Sequence, residues 1–404
     1  MAIFYIDPKS GDDASNGLTP QAPKKSYQAI ACRGGDTLLF KRGSLYRDVL
    51  HMHHGEENAP ITYGAYGEGD APTFCGSVDL SDPSCWMPTE QKNVWQCTAS
   101  LDTDVGNFIF NAGECTATLR WNKEELAAQG DFFDSRCGEC TKNGGKPVSE
   151  QEVLLYSVGN PAMVYTHIEA AVFGKRCLGA LQSNTILQDL RFINGGVHGL
   201  VGRGDLQNIS IRRCSFEAIG GCGWSREQRI RFGNGIEFWA GAVENILIEE
   251  CAFHNIYDSC ATQQGPDHVT PAAKRFHVRN NRFDTYSMAA FEYRAQMMTD
   301  SSFTDNLCKN AGCGFGMLGE DLPRRSEIWP APMGHHIFLW RVWAPPADGS
   351  LLIANNTFVH APHGAAIYSM ICPEAEAQVS FSHNSYEGDY LMTAFYGGCA
   401  TELP

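Results

Sequence analysis

Three carboxylates in the second half of the chain are placed for acid–base chemistry. Glu237 stands in Gly235-Ile-Glu-Phe-Trp239 and Glu292 in Phe291-Glu-Tyr-Arg294. Each lies between apolar residues, so strand alternation turns its carboxyl away from the core. Aligned on the apolar residue before each Glu, the intervening segment offers Thr262 at the same point. The two Glu are then two strands apart, roughly 9 to 10 Å at a strand spacing of about 4.8 Å. Asp258, in Ile256-Tyr-Asp-Ser-Cys260, falls between them beside a turn. Such carboxyls can protonate a leaving glycosidic oxygen and activate water, or attack the anomeric carbon. A separation of roughly 5 Å implies retention and roughly 6.5 to 9.5 Å inversion. The wider value fits Glu237 with Glu292 and the narrower fits Asp258 with either, with the balance toward inversion. The bland alternative for each is a solvated or ion-paired side chain on a strand.

Other polar and aromatic residues are candidates to hold a substrate. His198, in Gly196-Val-His-Gly199, precedes the Glu237 strand and can bond a sugar hydroxyl or simply satisfy backbone. Arg294 shares the face of Glu292, and Trp239 and Gln263 lie on the same set of strands. Two long loops, 220–234 and 318–349, are expected to flank the groove. The first carries Trp224 and Arg226; the second carries Asp321, His335, His336 and Trp340. Tryptophan faces suit sugar C–H faces, and charged groups suit hydroxyls. No metal or other cofactor is expected. His335 and His336 have no regular spacing to a carboxylate, and Cys137-x-x-Cys140 lacks a second pair. Asp7, Asp12 and Asp13 lack the spacing of a calcium loop and read as turn stabilisers. There is no glycine-rich phosphate loop and no Gly-x-Ser-x-Gly elbow.

The strands that must carry these groups come from a loose repeat that begins near residue 185. It reads Leu187-Gln-Asp-Leu190-Arg-Phe192, Ile211-Arg-Arg-Cys214-Ser-Phe216, Ile248-Glu-Glu-Cys251-Ala-Phe253 and Val278-Arg-Asn-Asn281-Arg-Phe283, then Phe303 to Cys308, Ile353 to Phe358 and Phe381 to Tyr386. The last residues of successive units are 24, 37, 30, 25, 50 and 28 residues apart. The short values match one coil of a solenoid and the long ones a coil with an inserted loop. Asn at one turn position (281, 306, 356, 384) can take a left-handed turn and bond its counterpart one coil away. This predicts an all-β, right-handed parallel β-helix as one domain over 1–404, with a cap region at 1–50 and an irregular insertion at 110–175. A short helix is expected over 119–128, its Trp121 packing against the stack.

The first half adds Tyr5-Ile-Asp-Pro, Gly35-Asp-Thr-Leu-Leu-Phe-Lys-Arg-Gly43 and Ile61-Thr-Tyr-Gly-Ala-Tyr-Gly-Glu-Gly-Asp-Ala-Pro72. With the repeats, this resembles the right-handed β-helix carbohydrate-active enzymes of the pectate-lyase-like superfamily, of glycoside hydrolase type. The resemblance implies a scaffold shared by hydrolases, lyases, epimerases and inert adhesion proteins, so it does not decide the reaction. A glycoside hydrolase is expected, with a polysaccharide lyase or uronate epimerase next and a non-catalytic glycan-binding β-helix third.

Composition narrows the partners. With 46 Asp and Glu against 31 Lys and Arg, the formal charge is −15, which argues against nucleic acid or an anionic membrane. Carbohydrate is the expected partner, alongside a possible homo-oligomer. Sixteen cysteines without disulfide-like spacing, and no leader-like start, point to a cytoplasmic protein.

Overall fold

The computed structural model describes residues 1–101, 103–174, 176–318, 333–343, 346–396 and 399–401. Its strands wind as a parallel β-helix of three faces, right-handed as parallel crossovers are. The first face is an unbroken ten-stranded parallel sheet from Ile3–Ile6 through Thr37–Lys41, Ile61–Tyr66 and Thr185–Gln188 to Val379–Ser382. The cap region therefore belongs to the stack itself: Ile3 pairs with Thr37, and Thr37 with Thr62. Asp7 accepts from the backbone of Lys9 and Ser10, and Asp13 from Ser26, so these acids hold turns.

The second face carries the repeated aromatic. Phe74, Phe192, Phe216, Phe253, Phe283, Cys308, Phe358 and Tyr386 form one in-register row. Ring centroids along its first five members lie 5.5, 5.3, 4.7 and 4.9 Å apart, nearly parallel, as offset-stacked aromatics prefer. Between the first two faces runs the Asn ladder. Asn306 Oδ1 accepts from the Asn281 backbone and side chain at 2.9 and 3.0 Å, and Asn356 and Asn384 repeat the pattern. The left-handed residue is the one before each ladder position: Glu250, Asn280, Asp305, Asn355 and His383 all have φ between 54° and 58°. The ladder Asn is thus valued for its amide, and its neighbour takes the backbone strain that expectation had assigned to it.

The third face, Leu50–His51, Cys177–Ala180, His198–Arg203, Ile236–Trp239, Ser259–Gln264, Ala289–Arg294 and His335–Val342, carries the candidate site. The corner leading into it varies greatly in length. Between Ser215–Ile219 and Ile236–Trp239 it holds an antiparallel hairpin, Cys222–Ser225 with Ile230–Phe232. Between Ala252–Ile256 and Ser259–Gln264 it is only Tyr257 and Asp258. Between Thr73–Cys75 and Cys177–Ala180 it swells into about a hundred residues.

That segment is not the irregular one expected. It forms two small sheets, an antiparallel one including Val105–Phe110 and Ile168–Val172 and a mixed one including Val94–Cys97, Asp131–Asp134 and Val153–Tyr156, over a separate apolar cluster. Residues 119–128 contain only a single 3-10 turn, Lys123–Glu125, and Trp121 is buried in the segment's own cluster. The expected loop 318–349 likewise contains the strand His335–Val342, whose apolar run pairs with Ala289–Arg294.

Replacing Asn306 by Ala orphans the Asn281 N–H and the Val278 carbonyl in the interior. Asn306→Ala should cost about 2 to 4 kcal/mol in urea unfolding, whereas Asn384→Ala, at the half-buried end of the ladder, should cost under about 1 kcal/mol.

Candidate functional site

The outward rows of the third face form the floor of a pocket of about 590 Å³, a size that engulfs a small ligand. In one row Val201, Glu237, Thr262, Glu292 and Phe338 lie side by side. Glu237 and Glu292 are therefore two strands apart with Thr262 between them, the register expected. Two residues on, Arg203, Trp239, Gln264 and Arg294 make the parallel row. The hairpin supplies one wall through Trp224, Gln228, Ile230 and Phe232, while Met288 and Trp340 close another side. Asp258 reaches the pocket because its corner has just two residues.

All three carboxylates are buried, at 4% exposure for Glu237, 7% for Asp258 and 1% for Glu292. One short stretch, Gly233-Asn234, touches the network around each. The Gly233 N–H donates to Asp258 Oδ2 at 3.2 Å and Asn234 Nδ2 donates to Glu237 Oε1 at 3.2 Å. Asn234 Oδ1 accepts the Ser259 N–H, and Ser259 Oγ donates to Glu292 Oε2 at 2.8 Å. Gln264 Nε2 adds a second donor to Glu237 Oε1 at 3.1 Å. Thr262, fully buried between the two Glu, has no hydrogen-bond partner for Oγ1 among the described residues.

His198 completes the set. Its Nδ1 accepts the Asn234 N–H at 3.1 Å, which leaves the proton on Nε2, and Nε2 lies 3.2 Å from Glu237 Oε2. Burial holds the His198 pKa down to about 3 against the pull of Asp258, so this contact is a neutral imidazole donating to Glu237. Burial likewise pushes Glu237 up to about 7, opposed by Arg203 and by the amides of Asn234 and Gln264. Glu237 is thus divided between acid and carboxylate near neutrality.

Of the residues singled out from sequence, Glu237, Asp258, Glu292, His198, Trp224, Trp239, Arg294 and Trp340 line this pocket. Arg294 is committed, with Nε 2.8 Å from Asp267 Oδ1 and its guanidinium over the Trp340 ring at 4.7 Å. Others lie elsewhere. Gln263 faces inward in the row of Phe238 and Tyr293, donating to the Gly241 and Pro271 carbonyls, because it falls one residue beyond outward Thr262. Arg226 donates to the Asp134 and Trp121 carbonyls and so fastens the hairpin to the inserted segment. His335 is buried against Phe338 and Tyr368, its Nδ1 accepting the Ala365 N–H. His336 is buried beside Phe358 and bonds Tyr286 through Nδ1. Asp321 lies outside the described residues.

Asn234, Ser259, Gln264, Arg203 and Arg176 were not singled out from sequence. Arg203 and Gln264 were within reach of the same row alignment that placed Thr262; Asn234 was marked only by its flanking glycines. Among the described residues one group has metal-like geometry, Asp79, His167 and Glu169, on the inserted segment. Arg47 already forks onto Glu169 at 2.6 and 2.9 Å, which supplies the positive charge a cation would bring.

No family model matches the sequence. A 75-residue stretch, 17% of this chain, is 36% identical to a lacto-N-biosidase of Bifidobacterium longum subsp. longum and spans 5% of that protein. A solved structure described as a glycoside hydrolase aligns over 99% of this chain and 97% of its own, at 9% identity and a TM-score of 0.54. A GH136 lacto-N-biosidase from Eubacterium ramulus aligns over 98% of this chain and 62% of its own, at 14% identity and a TM-score of 0.45. At 9% identity, what this chain shares with the first of these structures is the fold.

The raised pKa of Glu237 has a consequence for stability. Folding favours its protonated form, a contribution fully present below about pH 4.5 and lost as the pH rises through about 7. Unfolding free energies measured from pH 4 to 9 should show a decline of about 3 kcal/mol from this group. That part of the slope should be missing in Glu237→Gln, whatever its absolute stability.

Proposed function

We propose that the chain is a glycoside hydrolase that cleaves a glycosidic bond of a short glycan bound in the third-face pocket. The observation that carries this reading is the outward row of two buried Glu, two strands apart, beneath tryptophans. Glu237 is the general acid. Its pKa of about 7 keeps a proton available, three donors fix its orientation, and the free position on Oε2 can point at the leaving oxygen. Glu292 is the general base that removes a proton from water as the water attacks the anomeric carbon. The Thr262 hydroxyl, buried between them and unsatisfied among the described residues, suits a hydroxyl or water held at that point. The two-strand separation of roughly 9 to 10 Å at the backbone leaves room for that water, and hence for a single displacement with inversion.

An elimination mechanism needs a strong base on the central strands. Arg294 was the sequence's candidate, but its ion pair with Asp267 and its seat on Trp340 withhold it. Arg203, in the same row and without a carboxylate partner among the described residues, is the arginine an elimination would use instead, so the preference for hydrolysis rests on the two buried Glu.

Incubation with neutral and uronic-acid oligosaccharides should give products heavier by one water by mass spectrometry. Glu237→Gln and Glu292→Gln should each lower kcat roughly 10²- to 10⁴-fold. A product with unsaturated-uronate absorbance and no added water would establish elimination instead; intact binding without turnover of any glycan would mark a non-catalytic module. Proton NMR of the first product should show the inverted anomer, and a retained one would move the nucleophile's role to Asp258. The kcat/KM profile should fall above about pH 7 as Glu237 ionises. Asn234→Ala removes a donor that favours the carboxylate, so it should slow turnover and move that limb to higher pH. A loss of rate with an unmoved limb would assign Asn234 to folding alone.

A further inference from the structure

The arginines of this acid-rich chain are mostly taken up by carboxylates. Arg191 meets Glu217, Arg213 meets Asp189, Arg279 meets Glu249, and Arg294 and Arg341 share Asp267. Two that line the pocket are different. Arg176 and Arg203 are both exposed, and among the described residues neither has a carboxylate within ion-pair distance.

The two lie on one side of the pocket. Arg203 closes the strand His198–Arg203 and pairs with Trp239. Arg176 precedes Cys177, the strand partner of His198, and its carbonyl accepts the His198 N–H at 3.1 Å. Both charges bear on buried His198 and half-buried Cys177, opposing protonation of the one and favouring the thiolate of the other. The two guanidinium groups add positive potential to this side of the pocket, one from each end of the strand His198–Arg203. In a chain of formal charge −15, two exposed arginines lining one pocket without a carboxylate partner leave their donors open to an anionic ligand. At the far end of the pocket the corresponding arginine, Arg294, is neutralised by Asp267. The positive potential is thus one-sided. Beside it, Trp224, 48% exposed, and Trp239 offer ring faces.

We propose that Arg176 and Arg203 bind an anionic substituent, a carboxylate or a sulfate ester, on the glycan unit seated beside Trp239. This rests on the proposed function only in taking a glycan as the ligand. The guanidinium fork matches either oxyanion in two parallel hydrogen bonds. One charged group per ligand is specified. A polyanion would lay further charges against Glu237, Asp258 and Glu292 and against the acidic surface around them.

The test is a glycan array presenting neutral, uronate-bearing and sulfated members of matched pairs, read with Glu292→Gln protein to suppress turnover, followed by calorimetry on the best pair. The charged member should bind at least roughly 10-fold tighter at low ionic strength, with the advantage shrinking as salt is added. Arg176→Gln and Arg203→Gln should each weaken the charged ligand by roughly 10- to 100-fold and collapse its ratio to the neutral one. Preference for uronate or for sulfate identifies which oxyanion is recognised. Equal or tighter binding of neutral members, or a ratio that survives both substitutions, would overturn the assignment. The reading is independent of turnover. Charge-blind binding by an enzyme that adds water removes this proposal and leaves hydrolysis standing, while charge-selective binding without hydrolysis does the reverse.

Discussion

A slip of one residue between neighbouring coils would turn Glu237 and Glu292 into the core and Ile236 and Phe291 into the pocket. Register is therefore the constraint on which the site depends, and two interior devices hold it. The stacked rings of the second face bury apolar area that no shifted pairing would reproduce. The Asn ladder is more specific, because each amide bonds both the backbone and the side-chain amide of its counterpart in the adjacent coil. Buried amides cannot trade those partners for water, so a slip would orphan several polar groups at once.

The pocket owes its walls to variation at one corner. Every coil must bend between the second and third faces, and the bend can be as short as Tyr257-Asp258 or as long as the segment that fills residues 77 to 172. Where the corner is short, the outer side of the third face lies open and Asp258 is drawn to its edge. Where it is long, the extra chain folds on itself and stands beside that opening. Asp104 shows how the two are joined. It is fully buried, and its Oδ2 accepts from the backbone N–H groups of Gly138 in the insertion and Gly223 in the hairpin. Burial raises the Asp104 pKa, so these donors hold a group costly to ionise and fix the hairpin bearing Trp224.

What could be read from sequence follows from the same physics. Inward rows repeat because the interior is the same in every coil, and so Phe216, Phe253 and Phe283 align by eye. Glu237, Thr262 and Glu292 fell into one row because each follows an apolar residue of that pattern. Gln263 shows the limit of this reading. It belongs to the right strand, but strand parity sends it inward, and being polar it does not advertise a core position. His335 and His336 resemble loop residues until their strand is recognised, and the apolar run that follows them is the only local sign of it. Corner insertions have no repeat to betray them. The small sheets of residues 77 to 172 obey their own packing, and Arg226 reads as a groove residue until its two backbone acceptors across the junction are seen. Asn234, marked only by its flanking glycines, is hard to read for another reason: besides Glu237 three residues on, its partners His198 and Ser259 come from the coils before and after its own.

The choice of His198 as a partner for Glu237 is itself informative about chemistry. A buried carboxyl can be steadied by a cation, which would hold it as a carboxylate well below neutral pH, or by neutral donors. Here the nearest partners are neutral: an imidazole whose tautomer is set by the Asn234 N–H, and the amides of Asn234 and Gln264. The one charge opposing the effect of burial most strongly, that of Arg203, belongs to an exposed side chain on the neighbouring strand. Such donors orient the carboxyl without supplying the charge that would strip its proton. Glu292 is held differently, with a hydroxyl, Ser259 Oγ, donating to its Oε2, and Ser259 is itself placed by Asn234. Two carboxyls of one kind in one row are thereby given different surroundings, the physical requirement for one to donate a proton while the other accepts one.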